Sequence, residues 1–257
     1  METEFKTNKL AIKIYADRAA MGEAAASDVM NKIKELLQNK DFVNIIFAAA
    51  PSQNEFLAAL AKSSLDWRRV RAFHMDEYIG LNKNAPQLFG NFLKERIFGK
   101  LPFSVIHYLN GITAAAEEEC KKYAALLKEY PVDIVCIGIG ENGHIAFNDP
   151  PVADFKDTKM VKIAELDEAC RQQQINDGCF ATINDVPKSA ITLTIPALMA
   201  AKYIYCMVPG VTKAEAVYNT LNKYITEQYP STILRTHDEA ILYLDTLSSS
   251  KLKNELI

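Results

Sequence analysis

The chain has 257 residues, 49% of them hydrophobic and 24% charged, with a formal net charge of −3. That is enough to bury the core of one α/β domain, for which about 250 residues is ordinary, so a single domain over residues 1–257 is expected. Acids and bases are interspersed, which excludes the basic footprint of a nucleic-acid or membrane-surface binder and points to a small-molecule partner, with a homo-oligomer left open. The five cysteines are scattered without C-x-x-C spacing, so neither a disulfide framework nor a zinc site is expected. The opening METEFKTNKLAIKIY has no apolar h-region, and no apolar run reaches membrane-spanning length. A cytoplasmic protein is expected.

Residues 10–15 alternate as a strand should, and residues 16–39 carry Met21, Ala24, Val29, Ile33, Leu36 and Leu37 at helical spacing. Residues 43–47 form a buried strand, followed by Ala48-Ala49-Ala50-Pro51-Ser52 and a helix over 55–61. Ser52 and Glu55 have the spacing of a capping box. Alternatively, Ser52 and the N–H groups of that helix start bind an anion.

The next strand, 70–75, delivers Asp76-Glu77-Tyr78 to its carboxyl end. The two carboxylates are either solvated turn residues or a rigidly placed general base with its neighbour. A helix follows over 89–98, a strand over 105–109, an Asn110-Gly111 turn and a helix over 114–127 with a solvated polar face. Later come strands at 159–163, 190–195, 203–208 and 240–245, and helices at 165–176 and 213–221. Arg171-Gln172-Gln173-Gln174 has the look of a wet helix face. Lys213, in the first turn of its helix, opposes the macrodipole unless an anion sits there. The β-α alternation predicts a single-domain, mainly parallel, Rossmann-like sheet with helices on both faces.

The stretch VDIVCIGIGENGHIAFNDPP, residues 132–151, concentrates the chemistry. Its first six residues have the continuous apolar character of a strand buried on both faces. Gly138, Gly140 and Gly143 let the backbone turn and expose N–H groups, and Asn142, His144 and Asp149 follow on the loop, where open α/β sheets bind ligands. The glycines formally spell G-x-G-x-x-G, the dinucleotide fingerprint. That motif needs a long helix opening at the glycines, and Pro150 and Pro151 follow Gly143 within eight residues. No nicotinamide, flavin or other cofactor is expected, and no metal.

Four segments together resemble the glucosamine-6-phosphate deaminase (isomerase) family, whose fold is shared with 6-phosphogluconolactonases. They are Phe73-His74-Met75-Asp76-Glu77-Tyr78, then 138–150, then Val186-Pro187-Lys188 with its following strand, then Gly210-Val211-Thr212-Lys213-Ala214. The resemblance implies conversion of a hexosamine 6-phosphate to a ketohexose 6-phosphate and ammonia, without a metal. In that chemistry His144, on a mobile-looking loop, moves protons as the sugar ring opens, and Asp76 carries a proton between C2 and C1. Asp149 orients His144 with Asn142 beside it, while Lys213, Ser52 and the glycine turn at Gly140 and Gly143 hold substrate and phosphate.

The chain departs from the family at Asn142, usually aspartate, at Asp149, usually glutamate, and in its glycine-free turn Ala48-Ala49-Ala50-Pro51. The arginine expected shortly before Val186 has no match at Asp177-Gly178-Cys179, which leaves Arg171, nearby but out of register, as the candidate. Glucosamine 6-phosphate, galactosamine 6-phosphate or another hexose phosphate are the contending substrates. The rival functions are a lactonase, which needs no C2 base, and a sugar-phosphate sensor. For the sensor, the first strand begins too early to leave room for a DNA-binding segment.

Overall fold

The computed structural model describes residues 3–252. Its first strands are β1 (Thr3–Thr7), β2 (Leu10–Tyr15), β3 (Val43–Phe47), β4 (Val70–His74), β5 (Asp76–Tyr78) and β6 (Val105–His107). They are followed by β7 (Ile134–Ile137), β8 (Val161–Glu165), β9 (Ser189–Leu193), β10 (Tyr203–Val208) and β11 (Ala240–Asp245). The helices are α1 (Arg18–Leu36), α2 (Asn54–Ala61), α3 (Phe89–Leu93), α4 (Ala116–Glu129), α5 (Glu168–Asn176), α6 (Ile195–Met199) and α7 (Ala214–Asn222).

Eight strands form one sheet in the order β1-β2-β11-β10-β7-β3-β4-β6. Only β1 is antiparallel to its neighbour; the other pairs are parallel, as expected. The two-residue period of a strand sends alternate side chains into two separate cores. From β7, Ile134 and Cys136 pack with Met21, Val29 and Ile33 of α1 and Phe56 and Leu60 of α2. Val135 and Ile137 pack on the other face with Tyr123 and Leu127 of α4 and Val217 and Leu221 of α7. Full burial of each such side chain contributes roughly 1.5–3 kcal/mol, which is why these strands read as unbroken apolar runs.

From β3 the chain proceeds outward to β4 and β6, whereas from β7 it proceeds the other way to β10 and β11. The strand order therefore reverses between β3 and β7, and open α/β sheets open a crevice at the carboxyl ends beside such a point.

Three local expectations are corrected. The strands anticipated at 159–163 and 190–195 do not join the parallel sheet: β5, β9 and β8 form a separate antiparallel sheet. Strand periodicity specifies a face and carries no information on which partner will cover an edge. The capping box is absent, because Pro51–Gln53 forms a 3-10 turn and α2 begins after Gln53 without a side-chain cap. Glu55 instead meets Arg18, with Nε 2.8 Å from Oε1. Finally, the helix expected over 89–98 changes pitch at Lys94–Phe98, a π turn closed by the Gly99 N–H on the Lys94 carbonyl at 2.9 Å. A Cβ at Gly99 would lie 2.7 Å from that carbonyl oxygen, so glycine permits the closure.

Candidate active site

A cavity of about 430 Å³ opens at the carboxyl ends of β3, β4, β7 and β10, within the size range of small-molecule sites. Ser52, Asp76, Arg96, Gly140, His144 and Lys213 all line it.

His144 projects from a loop fastened by hydrogen bonds. Gly140 N–H donates to the His144 carbonyl at 2.9 Å, and Gly143 N–H to the Gly140 carbonyl at 3.0 Å. Asn148 Nδ2 donates to the carbonyls of Ile145 (3.0 Å) and Leu193 (2.9 Å), and Phe147 N–H donates to Thr192 Oγ1 at 3.1 Å. Ala146 is held at φ +48°, a left-handed conformation a side-chain-bearing residue rarely adopts. The loop's bonds and the Asn148 anchor over-determine it. The expectation that Gly140 and Gly143 offer N–H groups to a ligand is thus corrected, since both amides are used inside the loop. Gly140 still matters, because a Cβ there would lie 2.1 Å from His144 Cε1. Gly143, at φ +87°, serves the turn and does not line the cavity.

Behind the imidazole, Nδ1 faces Asn142 Oδ1 at 2.8 Å and Asp149 Oδ1 at 2.9 Å. Both are acceptors, so Nδ1 carries the proton and Nε2 is left as the free nitrogen. Asn142 Nδ2 closes the triangle on Asp149 Oδ1 at 3.0 Å. Asp149 is fully buried. Burial pushes its pKa up, but the His144 charge and the hydrogen bonds from His144 and Asn142 outweigh that and leave it below the ordinary value. Neither Asn142 nor Asp149 lines the cavity. They act through His144, and the shorter aspartate does reach the ring.

Adjacent residues of a strand point to opposite faces, which resolves the Asp76-Glu77 pair. Asp76 faces the cavity. Glu77 faces away: Oε1 accepts from Tyr78 N–H (2.9 Å) and Phe89 N–H (3.0 Å), and Oε2 from Gly90 N–H (2.9 Å), which satisfies the start of α3. Burial, then the Glu77 charge, raise the Asp76 pKa well above the carboxylate range. Burial pushes Glu77 up to about 7 against the pull of its three N–H donors. His74, which precedes this strand, is a buried brace. Its Nε2 accepts from Leu109 N–H at 2.9 Å, so Nδ1 donates to the Asp76 carbonyl at 3.0 Å, and burial lowers the ring's pKa to about 4.

Lys213 is buried in the 3-10 turn ahead of α7, on a loop fastened by Gly210 N–H to Asp245 Oδ2 at 3.0 Å. Burial lowers its pKa while Asp177, Glu141 and Cys170 oppose the change. Among the described residues no carboxylate lies within ion-pair distance of it. Arg171 is a correction: its Nη2 donates to the Ile183 and Val186 carbonyls and it does not line the cavity. The supposed wet face is also corrected, since Gln173 and Gln174 are buried and line the cavity. Arg96 and Glu95, on the π turn, were missed. The available signal was Gly99, out of place in a helix.

His144, Asp149 and Cys170 form one group whose potential ligand atoms lie within 4.8 Å of one another. Burial and the Asp149 charge raise the Cys170 pKa well above the usual thiol range, so it favours the S–H form, a poor metal ligand. The cluster fits a hydrogen-bonded support for the imidazole better than a metal centre.

Fold and site together define an α/β protein with a carboxylate, an imidazole and a buried ammonium gathered at its strand-order reversal. The family of glucosamine-6-phosphate isomerases and 6-phosphogluconolactonases matches residues 16–243, and the chain belongs to it. A glucosamine-6-phosphate deaminase of Streptococcus suis (strain 05ZYH33) is 37% identical over 205 residues, covering 80% of this chain and 86% of that protein. One from Bacillus cereus (strain G9842) is 35% identical over 213 residues, covering 83% and 79%. Among solved structures, a monomeric glucosamine-6-phosphate deaminase superposes with a TM-score of 0.86 at 27% identity, covering 93% of this chain and 98% of that one. A 6-phosphogluconolactonase from Thermotoga maritima has a TM-score of 0.75 at 19% identity, covering 91% and 98%, a likeness of fold.

Proposed function

We propose that this protein is a hexosamine-6-phosphate deaminase/isomerase, with glucosamine 6-phosphate its foremost substrate and a ketohexose 6-phosphate and ammonia its products. The observation that carries this reading is the pairing of Asp76 and His144 on one cavity, with Asn142 and Asp149 behind the ring. His144 Nε2, free on the cavity side, passes a proton between ring oxygen and O1 as the pyranose opens. Asp76 then removes the C2 proton and returns it to C1, which turns the aminoaldose into a ketose imine. Water adds to that imine and ammonia leaves. A raised pKa makes Asp76 a stronger base once ionised, and the substrate's 2-ammonium beside it favours the ionised form. Lys213 and Ser52 hold the phosphate. The five cysteines, all unpaired, suit a reducing cytoplasmic setting.

A lactonase needs no carbon base, so a buried carboxylate on the cavity favours the isomerase. The test is a coupled assay for ammonia release across phosphorylated amino sugars, with 6-phosphogluconolactone hydrolysis run in parallel. Ammonia from glucosamine 6-phosphate is expected. Lactone hydrolysis with no ammonia from any hexosamine phosphate would overturn the reading.

A further inference from the structure

The family resemblance expects an arginine shortly before Val186, and that part of the site has none to offer. Arg171 is committed to two backbone carbonyls, and α5 presents Gln173 and Gln174 to the cavity. Another arginine, Arg96, nevertheless lines the cavity from a different element. We propose that Arg96, on the π turn after α3, is the arginine that anchors the phosphate, together with Lys213 and Ser52. The proposal rests on the reading that a sugar phosphate occupies the cavity.

Arg96 is aimed but not saturated. Its Nε donates to Asn54 Oδ1 at 2.8 Å, its Nη1 to Glu95 Oε2 at 3.1 Å, and its Cζ lies 3.7 Å from the centre of the Phe92 ring. Those contacts fix the plane of the group while, among the described residues, Nη2 makes no hydrogen bond. A guanidinium has five N–H donors in a rigid fork, and the unused ones match the oxygens of a phosphate. The Glu95 partner does not neutralise it firmly, because that carboxylate is 77% exposed and such pairs are weak.

Position supports the assignment. Asn54, which holds Arg96, is two residues beyond Ser52, and both Ser52 and Arg96 line the cavity. A phosphate near −2 in charge calls for more than one cation, and the cations lining the cavity are Lys213 and Arg96. Arg96 lies within the π turn, where the backbone departs from α-helical spacing and its side chain is no longer placed as in a continuous α-helix. Gly99 makes that turn sterically free.

The experiment measures KM and kcat for ammonia release from glucosamine 6-phosphate, and calorimetric binding of inorganic phosphate, in the native chain and in Arg96→Ala, Arg96→Met and Arg96→Lys. Methionine keeps the stem against Phe92 and removes the charge. With Ala and Met, KM and the phosphate dissociation constant should rise about ten- to a hundredfold, the worth of a hydrogen bond to a charged group, with kcat little changed. Lysine should recover part of the loss. If Arg96→Met leaves both KM and phosphate binding at native values, the inference is overturned. If the native protein releases no ammonia, the deaminase reading fails, and the phosphate titrations still decide the role of Arg96.

Discussion

Replacing Asn142 by aspartate puts a negative charge where an amide now touches both His144 and Asp149. In the native site Asn142 Oδ1 is 2.8 Å from Nδ1, and its Nδ2 is 3.0 Å from Asp149 Oδ1. The variant loses the second bond and sets two carboxylates against each other, with the ring between them. An imidazolium about 4 Å from the new charge gains about 1 kcal/mol at the dielectric of water and about 4 kcal/mol at an effective value of 20. The ring is about nine-tenths buried, which places the gain between those limits. The added charge favours the protonated ring, so the variant's imidazole should keep its proton to higher pH than the native one.

Repulsion between Asp149 and the new aspartate adds to the same direction, because the charged ring relieves it. Asp76 also titrates in the free protein, so a kcat/KM profile mixes two groups. The ring is better read directly, by NMR of the imidazole nitrogens, of which the chain has four pairs. A His144 titration that stays in place or moves down would refute the contact of residue 142 with the imidazole and with Asp149.

Asp76→Asn should leave folding and sugar-phosphate binding intact while abolishing exchange of solvent deuterium into C1 or C2; near-normal exchange would assign the base to another group. Lys213→Ala should raise KM far more than it lowers kcat, the signature of lost uniform binding, and an unchanged KM would remove Lys213 from the site. Gly140→Ala forces a methyl group to within 2.1 Å of the His144 ring, so activity should fall at least about a hundredfold with sugar-phosphate binding retained, a loss on the scale of general acid–base catalysis. Retained activity in that variant would mean that the ring works from a different position.

Much of the site was legible because its chemistry lies in compact segments at strand ends. Asp76, His144, Asn142 and Asp149 each sit in a short stretch whose neighbours dictate a strand followed by a turn, and the structure sets Asp76 and His144 on one cavity with Asn142 and Asp149 against the ring. Arg171 misled for the opposite reason. It is near the right place in the sequence, but a helix face is chosen by what packs against it, and the backbone of 183–186 claimed the guanidinium. Arg96 was invisible because its side chain is held by Asn54, distant in the chain, and stands on a π turn that closes at Gly99.

By itself, the sequence determined the α/β alternation, the two buried faces of the central strands and the turns at their carboxyl ends, because each depends on residues a few positions apart and on simple periodicity. Tertiary structure alone decided that β5 leaves the parallel sheet to pair with β9, and that Asp76 faces the cavity while Glu77 braces α3. It also decided that His144 rests on an amide and a carboxylate. Those outcomes depend on which surfaces meet across long stretches of chain, and local pattern holds no information about the partner that will be there.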